Sequence, residues 1–135
     1  MHRLQHTITL RVRYSETDQM GTVYNSRVFE WLECGRTEIL RHLGIPYTEM
    51  ETRGVFLPLV EAHAKYLGRA RYDDLLKMTT SISMVGRARV RCDAFIEHSH
   101  RNQPVARGHT IHAFIDAAGK PIRPPDWILK VLKNA

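Results

Sequence analysis

The segment between residues 18 and 25 places a carboxylate just before the predicted start of a long helix. Asp18 supplies a carboxylate, Gly21 permits backbone conformations barred to other residues, and Asn25 stands where a long helix is predicted to begin. The first turn of a helix presents free N–H groups at the positive end of its dipole, so it suits a developing oxyanion. The segment therefore offers a candidate reacting carboxylate beside a candidate oxyanion donor, the backbone N–H of Asn25.

Each of these residues also has a purely structural interpretation. Gly21 fits an ordinary turn, and the side chain of Asn25 or Ser26 can cap the helix. Asn25 can polarise or position a group but cannot act as a base near neutral pH, which places more weight on Asp18. Tyr24 lines the pocket, hydrogen-bonds near the carboxylate, or is a buried aromatic of the core.

Arginine supplies most of the positive charge and is a second set of candidate binding residues. Two arginines flank a turn and three form a one-sided ladder on a predicted strand: Arg69, Arg71, Arg87, Arg89 and Arg91. Forked guanidinium groups suit contacts to phosphate. A run of charges is more often a solvated face, so any one of these arginines is a weak candidate.

Histidine is frequent in the chain, but its spacing does not predict a metal site. His98 and His100 fall at a predicted polar turn, and His109 and His112 point to opposite faces of a predicted strand. No acidic or cysteine partner has the spacing of a metal site, so we assign no metal and no cofactor. The chain also lacks a Gly-x-Ser-x-Gly elbow, which argues against α/β-hydrolase chemistry.

The composition is that of one ordinary globular domain of 135 residues with 43% apolar residues, which excludes a disordered chain. The net charge of +6 favours an anionic partner and raises nucleic acid as an alternative. That alternative is weak, because Ala88 and Val90, not stacking aromatics, separate Arg87, Arg89 and Arg91.

The two cysteines, Cys34 and Cys92, form neither a CxxC motif nor a disulfide framework, so we expect a reducing, cytoplasmic compartment. The first residues lack the apolar stretch of a secretory signal. The longest uncharged apolar run, 55–60, is too short to span a bilayer.

Apolar periodicity predicts one long helix and five strands. Residues at helical spacing indicate the helix over 26–43, ended by Gly44 and Pro46, with Glu33 and Arg36 at the i, i+3 spacing of a structural ion pair. Alternation predicts strands over 6–14, 57–67, 76–85, 88–97 and 105–115, with short helices over 47–52 and 127–133. This order predicts an α+β architecture whose open sheet edges favour dimerisation.

The motif around Asp18 resembles the signature of the hotdog-fold acyl-CoA thioesterases, in the 4-hydroxybenzoyl-CoA thioesterase-like subgroup. The resemblance lies in YSETDQMGTVYN (14–25) and WLECGRTE (31–38), with LPLVEA (57–62), YL (66–67) and ARYDDLL (70–76) as a second stretch. It covers more than the first half of the chain, and the remaining strand order fits the family. It implies a single hotdog domain over 1–135, with a five-stranded, mostly antiparallel sheet wrapped around one long central helix, and a short C-terminal helix.

The resemblance also implies an activity, hydrolysis of an acyl-CoA or acyl carrier protein thioester. It makes Asp18 the general base or the nucleophile, with Asn25 and Tyr24 as the other catalytic candidates. Substrate-binding candidates are Gly21, Arg69, Arg87 and Arg89. The family forms homodimers, with sites at the subunit interface, and tetramers built from them. A histidine often stands at position 25 in one branch, so Asn25 is a departure. The alternative is a hotdog module that holds acyl-CoA without hydrolysing it.

Overall fold

The computed structural model describes residues 4–133. Five strands form one sheet in the order β1-β3-β4-β5-β2, and all neighbouring pairs are antiparallel. The strands are β1 (Gln5–Arg11), β2 (Leu59–Tyr66), β3 (Leu75–Val85), β4 (Arg89–His98) and β5 (Pro104–Ala113). The predicted domain also includes residues 1–3 and 134–135, which lie outside the described residues.

Helix α1 (Arg27–His42) packs against one face of the sheet. Its apolar residues recur every three or four positions, which places them on one side of the helix, and the buried ones are Val28, Trp31, Leu32, Gly35, Ile39 and Leu40. Two shorter helices, α2 (Tyr47–Thr52) and α3 (Asp126–Leu132), complete the described part. None of the helices within residues 4–133 has the length and hydropathy needed to cross a membrane.

The end of α1 follows from a glycine, as the sequence predicts. Gly44 has φ = +83°, a left-handed conformation that favours glycine. Its N–H donates to the Arg41 carbonyl oxygen at 3.1 Å, and the Ile45 N–H donates to the Leu40 carbonyl oxygen at 3.0 Å. This pair of hydrogen bonds satisfies carbonyl groups that the last turn would otherwise leave free.

The start of the site loop corrects one predicted boundary. Alternation predicts a strand to residue 14, but β1 ends at Arg11 and a 3-10 turn follows at Tyr14–Glu16. Val12 is buried, and its N–H donates to the Asp74 carbonyl oxygen at 2.9 Å. The Arg13 N–H then donates to the Glu16 carboxylate at 2.8 Å, which turns the chain away from the sheet.

The edge strand β2 is open to solvent along its length. Every residue of Leu59–Tyr66 is exposed except Ala64, which is half-buried. An edge strand presents unpaired N–H and C=O groups to any strand that can add to it. This edge lies beside α1, which β2 contacts.

Candidate active site

Backbone hydrogen bonds close the loop between β1 and α1 on itself. Thr17 and Val23 form an isolated antiparallel bridge, and the Asp18 N–H donates to the Thr22 carbonyl oxygen at 3.0 Å. Gly21 has φ = +80°, and its N–H donates to the Asp18 carbonyl oxygen at 2.9 Å. The loop is therefore a tight turn whose shape requires the glycine that the sequence places there.

The Asp18 side chain is exposed at the start of this turn. Its Oδ1 accepts a hydrogen bond from the Met20 N–H at 2.9 Å. Its Oδ2 has no hydrogen-bond partner among residues 4–133. One carboxylate oxygen therefore orients the side chain while the other is available to a reactant.

The free backbone donors lie just before α1 and not in its first turn, where the Arg27 and Val28 N–H groups donate to the Tyr24 and Asn25 carbonyl oxygens. Ser26 occupies the N-cap position, but no side chain caps the helix, so the predicted capping by Asn25 or Ser26 is wrong. The Asn25 carbonyl oxygen accepts from the Val28 N–H at 3.3 Å and from Tyr66 Oη at 2.8 Å. Within the described residues, the N–H groups of Asn25 and Ser26 donate to no protein acceptor, which leaves them free at the positive end of the helix dipole.

Tyr24 links the loop to this helix end through its backbone. Its N–H donates to the Glu16 carbonyl oxygen at 2.9 Å. Its side chain is 54% exposed, so the interpretation of Tyr24 as a buried core aromatic is wrong.

A cavity of about 210 Å³ opens beside the helix N-terminus and brings Asn25 together with Arg69. Val28 and Tyr66 also line it, whereas Asp18 lies in the adjoining loop and not in the wall. The loop and this wall are bonded together, because the Val23 N–H donates to the Ala70 carbonyl oxygen at 2.9 Å. The structure therefore places a predicted binding arginine beside the predicted oxyanion donor.

A second cavity of about 390 Å³ continues along α1 toward β2, lined in part by Phe29, Arg36, Leu59 and His112. His112 is buried, and burial followed by the nearby Arg36 guanidinium lowers the pKa of its imidazole to about 4. Its ring nitrogens pair with the Leu57 carbonyl oxygen at 3.0 Å and with Thr110 Oγ1 at 3.1 Å. This cavity therefore has a mixed apolar and polar lining with a neutral imidazole.

The predicted Glu33–Arg36 ion pair is absent from the described part of the chain. The neighbouring i, i+3 pairs of α1 do form, between Arg27 and Glu30 and between Glu38 and Arg41. Arg36 instead borders the second cavity and acts on the buried His112. Sequence spacing permits a helical pair, but the side-chain rotamer decides it.

Arg69 and Arg71 lie on the turn that faces the site loop. Arg71 forms an isolated bridge with Thr22, and one of its guanidinium nitrogens lies 3.5 Å from the point where a Cβ on Gly21 would stand. The Arg69 carbonyl oxygen accepts from His98 Nε2 at 2.8 Å. The prediction that His98 lies at a polar turn is wrong, because His98 ends β4 and is buried.

Arg87 and Arg89 lie at the turn between β3 and β4, at the far end of the sheet from the site loop. The loop follows the end of β1, where Arg11 pairs with Leu75, and Val85 pairs with Arg89 at the other end of β3. At about 3.3 Å per residue, the 11 residues of β3 separate the two ends by about 30 Å. Within one chain, the structure does not bring these arginines to Asp18.

The sequence reasoning missed Glu16, a buried carboxylate within the motif itself. Its oxygens accept from the Arg13 N–H at 2.8 Å and from Trp31 Nε1 at 2.9 Å. Burial raises the pKa of Glu16, but the Arg13 N–H, the Trp31 indole and the Arg13 guanidinium outweigh it and hold the pKa below its usual value. An acid between Ser15 and Thr17 reads as part of a polar loop and gives no signal of burial, and its partner Trp31 lies 15 residues away.

Comparison with known proteins places the chain among thioesterases. A family model described as the thioesterase-like superfamily matches residues 12–132. Bacillus subtilis YneP, which bears the provisional name of an acyl-CoA thioesterase, is 40% identical over 73 residues, 54% of this chain and about half (53%) of YneP. The 1,4-dihydroxy-2-naphthoyl-CoA hydrolase of Synechococcus elongatus is 30% identical over 124 residues, 87% of this chain and 90% of that protein.

Solved structures share the fold. A 4-hydroxybenzoyl CoA thioesterase variant, crystallised with 4-hydroxybenzoyl CoA, superposes with a TM-score of 0.84 over 95% of this chain and 98% of that one. The two chains are 21% identical, so this likeness concerns the fold alone.

Proposed function

Because this chain belongs to the thioesterase-like superfamily, we propose that it hydrolyses an acyl thioester of coenzyme A or of an acyl carrier protein to the free acid and the thiol. The predicted resemblance to the 4-hydroxybenzoyl-CoA thioesterase-like subgroup is confirmed, and so is the hotdog fold with five antiparallel strands. The chain is accordingly a thioester hydrolase. Beyond this, we propose the substrate class and the reacting groups.

One observation carries the proposal: a carboxylate oxygen and two backbone N–H groups without protein partners stand at one loop–helix junction. Asp18 Oδ2 and the N–H groups of Asn25 and Ser26 have no hydrogen-bond partner within residues 4–133. Asn25 lines the 210 Å³ cavity and Asp18 lies in the adjoining loop, so these groups are open to a reactant at this junction. Thioester hydrolysis needs both kinds of group, a nucleophile or base and an oxyanion donor.

In the proposed reaction, Asp18 either takes a proton from water or attacks the carbonyl carbon directly. As the nucleophile adds, the carbonyl oxygen becomes an oxyanion and accepts from the Asn25 N–H. The C–S bond then breaks, and the sulfur leaves as a thiolate that takes up a proton. On the direct route, water hydrolyses the acyl-aspartate and restores the carboxylate. We place the exposed Tyr24 ring at the mouth of the site, where it lines the path of the thioester.

We place the acyl group in the cavities that run along α1 beside β2. These cavities extend from Asn25 at the helix N-terminus to Arg36. We also propose that α1 is the central helix around which the sheet wraps. With the thioester at the N-terminus of α1, the positive end of the helix dipole faces the carbonyl oxygen. Gly21 keeps the backbone of the adjoining turn in the left-handed conformation, without a side chain between the loop and Arg71.

We propose that two copies pair through β2, as a homodimer or as a tetramer built from such dimers. When two β2 edges pair antiparallel, the Leu59 end of one strand lies beside the Tyr66 end of the other. Leu59 aligns across the sheet with His112 and Val90, close to Arg89. The partner's Arg87 and the partner's Arg89 then approach the Tyr66 end of the first subunit. In that arrangement they join Arg69 as candidates for binding the phosphates of coenzyme A.

We also propose a cytoplasmic enzyme. Cys34 and Cys92 are both free thiols, Cys34 exposed and Cys92 buried. Burial raises the pKa of the Cys92 thiol to about 12, so it remains an inert thiol. Free thiols without a disulfide partner are typical of a reducing compartment.

The test is release of free thiol from matched sets of acyl-CoA esters and acyl carrier protein esters, short, long and aromatic. We expect hydrolysis of at least one ester, and the preferred carrier and acyl group then name the substrate. Coenzyme A binding without hydrolysis of any ester would contradict the proposal and indicate a non-catalytic binding module. Binding of an oligonucleotide, without hydrolysis of any ester and without binding of coenzyme A, would contradict it too.

A further inference from the structure

Glu16 is the one buried acid within residues 4–133, with 4% of its surface exposed. A carboxylate taken out of water is costly unless hydrogen bonds compensate. A buried carboxylate therefore suggests a role beyond stability, because a well-packed apolar side chain would stabilise the fold as well or better.

The carboxylate of Glu16 is held by donors from two directions. Oε1 accepts from the Arg13 N–H at 2.8 Å, and Oε2 accepts from Trp31 Nε1 at 2.9 Å. The Arg13 guanidinium lies 3.4 Å from Oε2 and supplies a compensating charge. Trp31 is itself buried, so its indole N–H has this acceptor in place of water.

These contacts join the segments that carry the reacting groups. Trp31 belongs to α1, and Arg13 begins the turn that leaves β1. The Glu16 carbonyl oxygen accepts from the Tyr24 N–H at 2.9 Å, directly before Asn25. Asp18 follows Glu16 by two residues along the chain. A single residue thus contacts both the start of the site loop and the helix that supplies the oxyanion donor.

We propose that Glu16 is a positioning residue that fixes the Asp18 loop on α1 through its hydrogen bond to Trp31. This inference rests on the proposed function, because the loop is taken to carry the reacting carboxylate. Loss of the contact displaces Asp18 relative to the Asn25 N–H, and a displacement of about 1 Å at a reacting group can cost about 100-fold in rate. Substrate contacts along the cavities lie elsewhere, so binding changes little.

The test compares Glu16→Gln and Trp31→Phe with Glu49→Gln, which alters an exposed acid of α2. Glu16→Gln keeps the shape but replaces an acceptor oxygen with a donor. We expect its kcat to fall about 10- to 100-fold with KM within about threefold, and a smaller kcat loss for Trp31→Phe. In the double variant, kcat should fall by less than the product of the two single-variant factors, because both changes disturb the same Glu16–Trp31 contact.

A second experiment reports on the Glu16–Trp31 contact directly and needs no measurement of activity. The chain has two tryptophans, so Trp127→Phe leaves Trp31 as the only indole. In that background, Glu16→Gln should shift the Trp31 emission and speed amide hydrogen exchange over 17–24, and Glu49→Gln should do neither.

These readouts separate the two ideas. If the native protein hydrolyses no thioester, the proposed function fails while emission and exchange still decide whether Glu16 holds the loop. Unchanged exchange over 17–24 in Glu16→Gln would overturn the inference. A folded Glu16→Gln with native kcat would also overturn it. If Glu16→Gln does not fold, an unchanged kcat in Trp31→Phe would overturn it instead.

Discussion

Both ends of α1 pack in apolar clusters, but they differ in the polar groups that surround them. At the C-terminal end, Ile39 and Leu40 lie in an apolar cluster with Met50 of α2, Phe114 and Ile128 of α3. The turn at Gly44 caps the backbone there through the Leu40 and Arg41 carbonyl oxygens. This end resembles the closed core of any small domain, and its energy comes from apolar burial.

At the N-terminal end, polar contacts between distant residues hold two loops against the helix. These contacts are Glu16 with Trp31, Tyr66 with Asn25, and His98 with the Arg69 carbonyl oxygen. The same end leaves the Asn25 and Ser26 N–H groups unpaired within the described residues and the Asp18 side chain exposed. Val28, Trp31 and Leu32 lie in a second apolar cluster at this end, so apolar burial stabilises both ends of α1. What distinguishes the N-terminal end is the set of free polar groups for which we propose a role in the reaction.

The largest expected loss of stability comes from a substitution that leaves a cavity at the C-terminal end of α1. Phe114 is 1% exposed, and Phe114→Ala should lower the free energy of unfolding by about 3–5 kcal/mol. Because Phe114 is far from Asp18 in the fold, kcat per folded molecule should remain native. Urea unfolding and thiol release measure the two quantities.

Phe95 offers the matched control, since it is 38% exposed on the other face of the sheet. Phe95→Ala should cost about 1 kcal/mol or less. Equal losses for both variants would mean that Phe114 does not lie in a closed apolar core.

The next effect concerns His112 of β5, which lines the second cavity beside α1. Its folded-state pKa of about 4 is below the ordinary 6.5, so the folded protein favours the neutral imidazole. Its contribution to stability is complete above pH 6.5 and is lost as the pH falls toward 4, up to about 3 kcal/mol. The measurement is the difference in unfolding free energy between the native protein and His112→Asn across this range.

His100→Asn is the control, because His100 is exposed. The difference between native protein and His112→Asn should shrink with falling pH, whereas the difference to His100→Asn should stay small. A pH-independent difference for His112→Asn would mean that the imidazole is not held neutral in this cavity.

The smallest effect removes one polar contact at the N-terminal end. Tyr66→Phe deletes the hydrogen bond from Tyr66 Oη to the Asn25 carbonyl oxygen, 2.8 Å long. Such a bond contributes about 1 kcal/mol, so kcat should fall by no more than about fivefold. Tyr72→Phe, which changes an exposed ring, should leave kcat native. If Tyr66→Phe lowers the free energy of unfolding but leaves kcat native, Tyr66 supports the fold and not the site.

The C-terminal end of α1 and the sheet could be predicted from sequence because their signals are local and periodic. Alternation along β4 places Val90, Cys92 and Ile96 on the buried face, as expected. Gly44 stops the helix where a glycine is expected to stop it. Both features depend on neighbours within a few residues.

The N-terminal end could be predicted only where a motif marks it. Asp18 and Asn25 were found through the motif, and the structure places both at the loop–helix junction, while their roles stay predictions. The contact of Glu16 with Trp31 depends on how two elements pack, which no local pattern encodes. The Glu33–Arg36 pair was wrong for the opposite reason, because local spacing allowed a contact that the side-chain rotamers of the folded protein do not make.

The most direct test of the central claim is kcat for thioester hydrolysis in Asp18→Asn beside Asp93→Asn. The asparagine side-chain oxygen can still accept from the Met20 N–H, so the loop should keep its shape. Asp93 lies on a strand, paired with Arg91, and serves as the matched control. We predict a fall of at least about 100-fold for Asp18→Asn with native thermal stability and native coenzyme A binding, and no fall for Asp93→Asn. A folded Asp18→Asn protein that keeps native kcat would contradict the assignment of the reacting carboxylate.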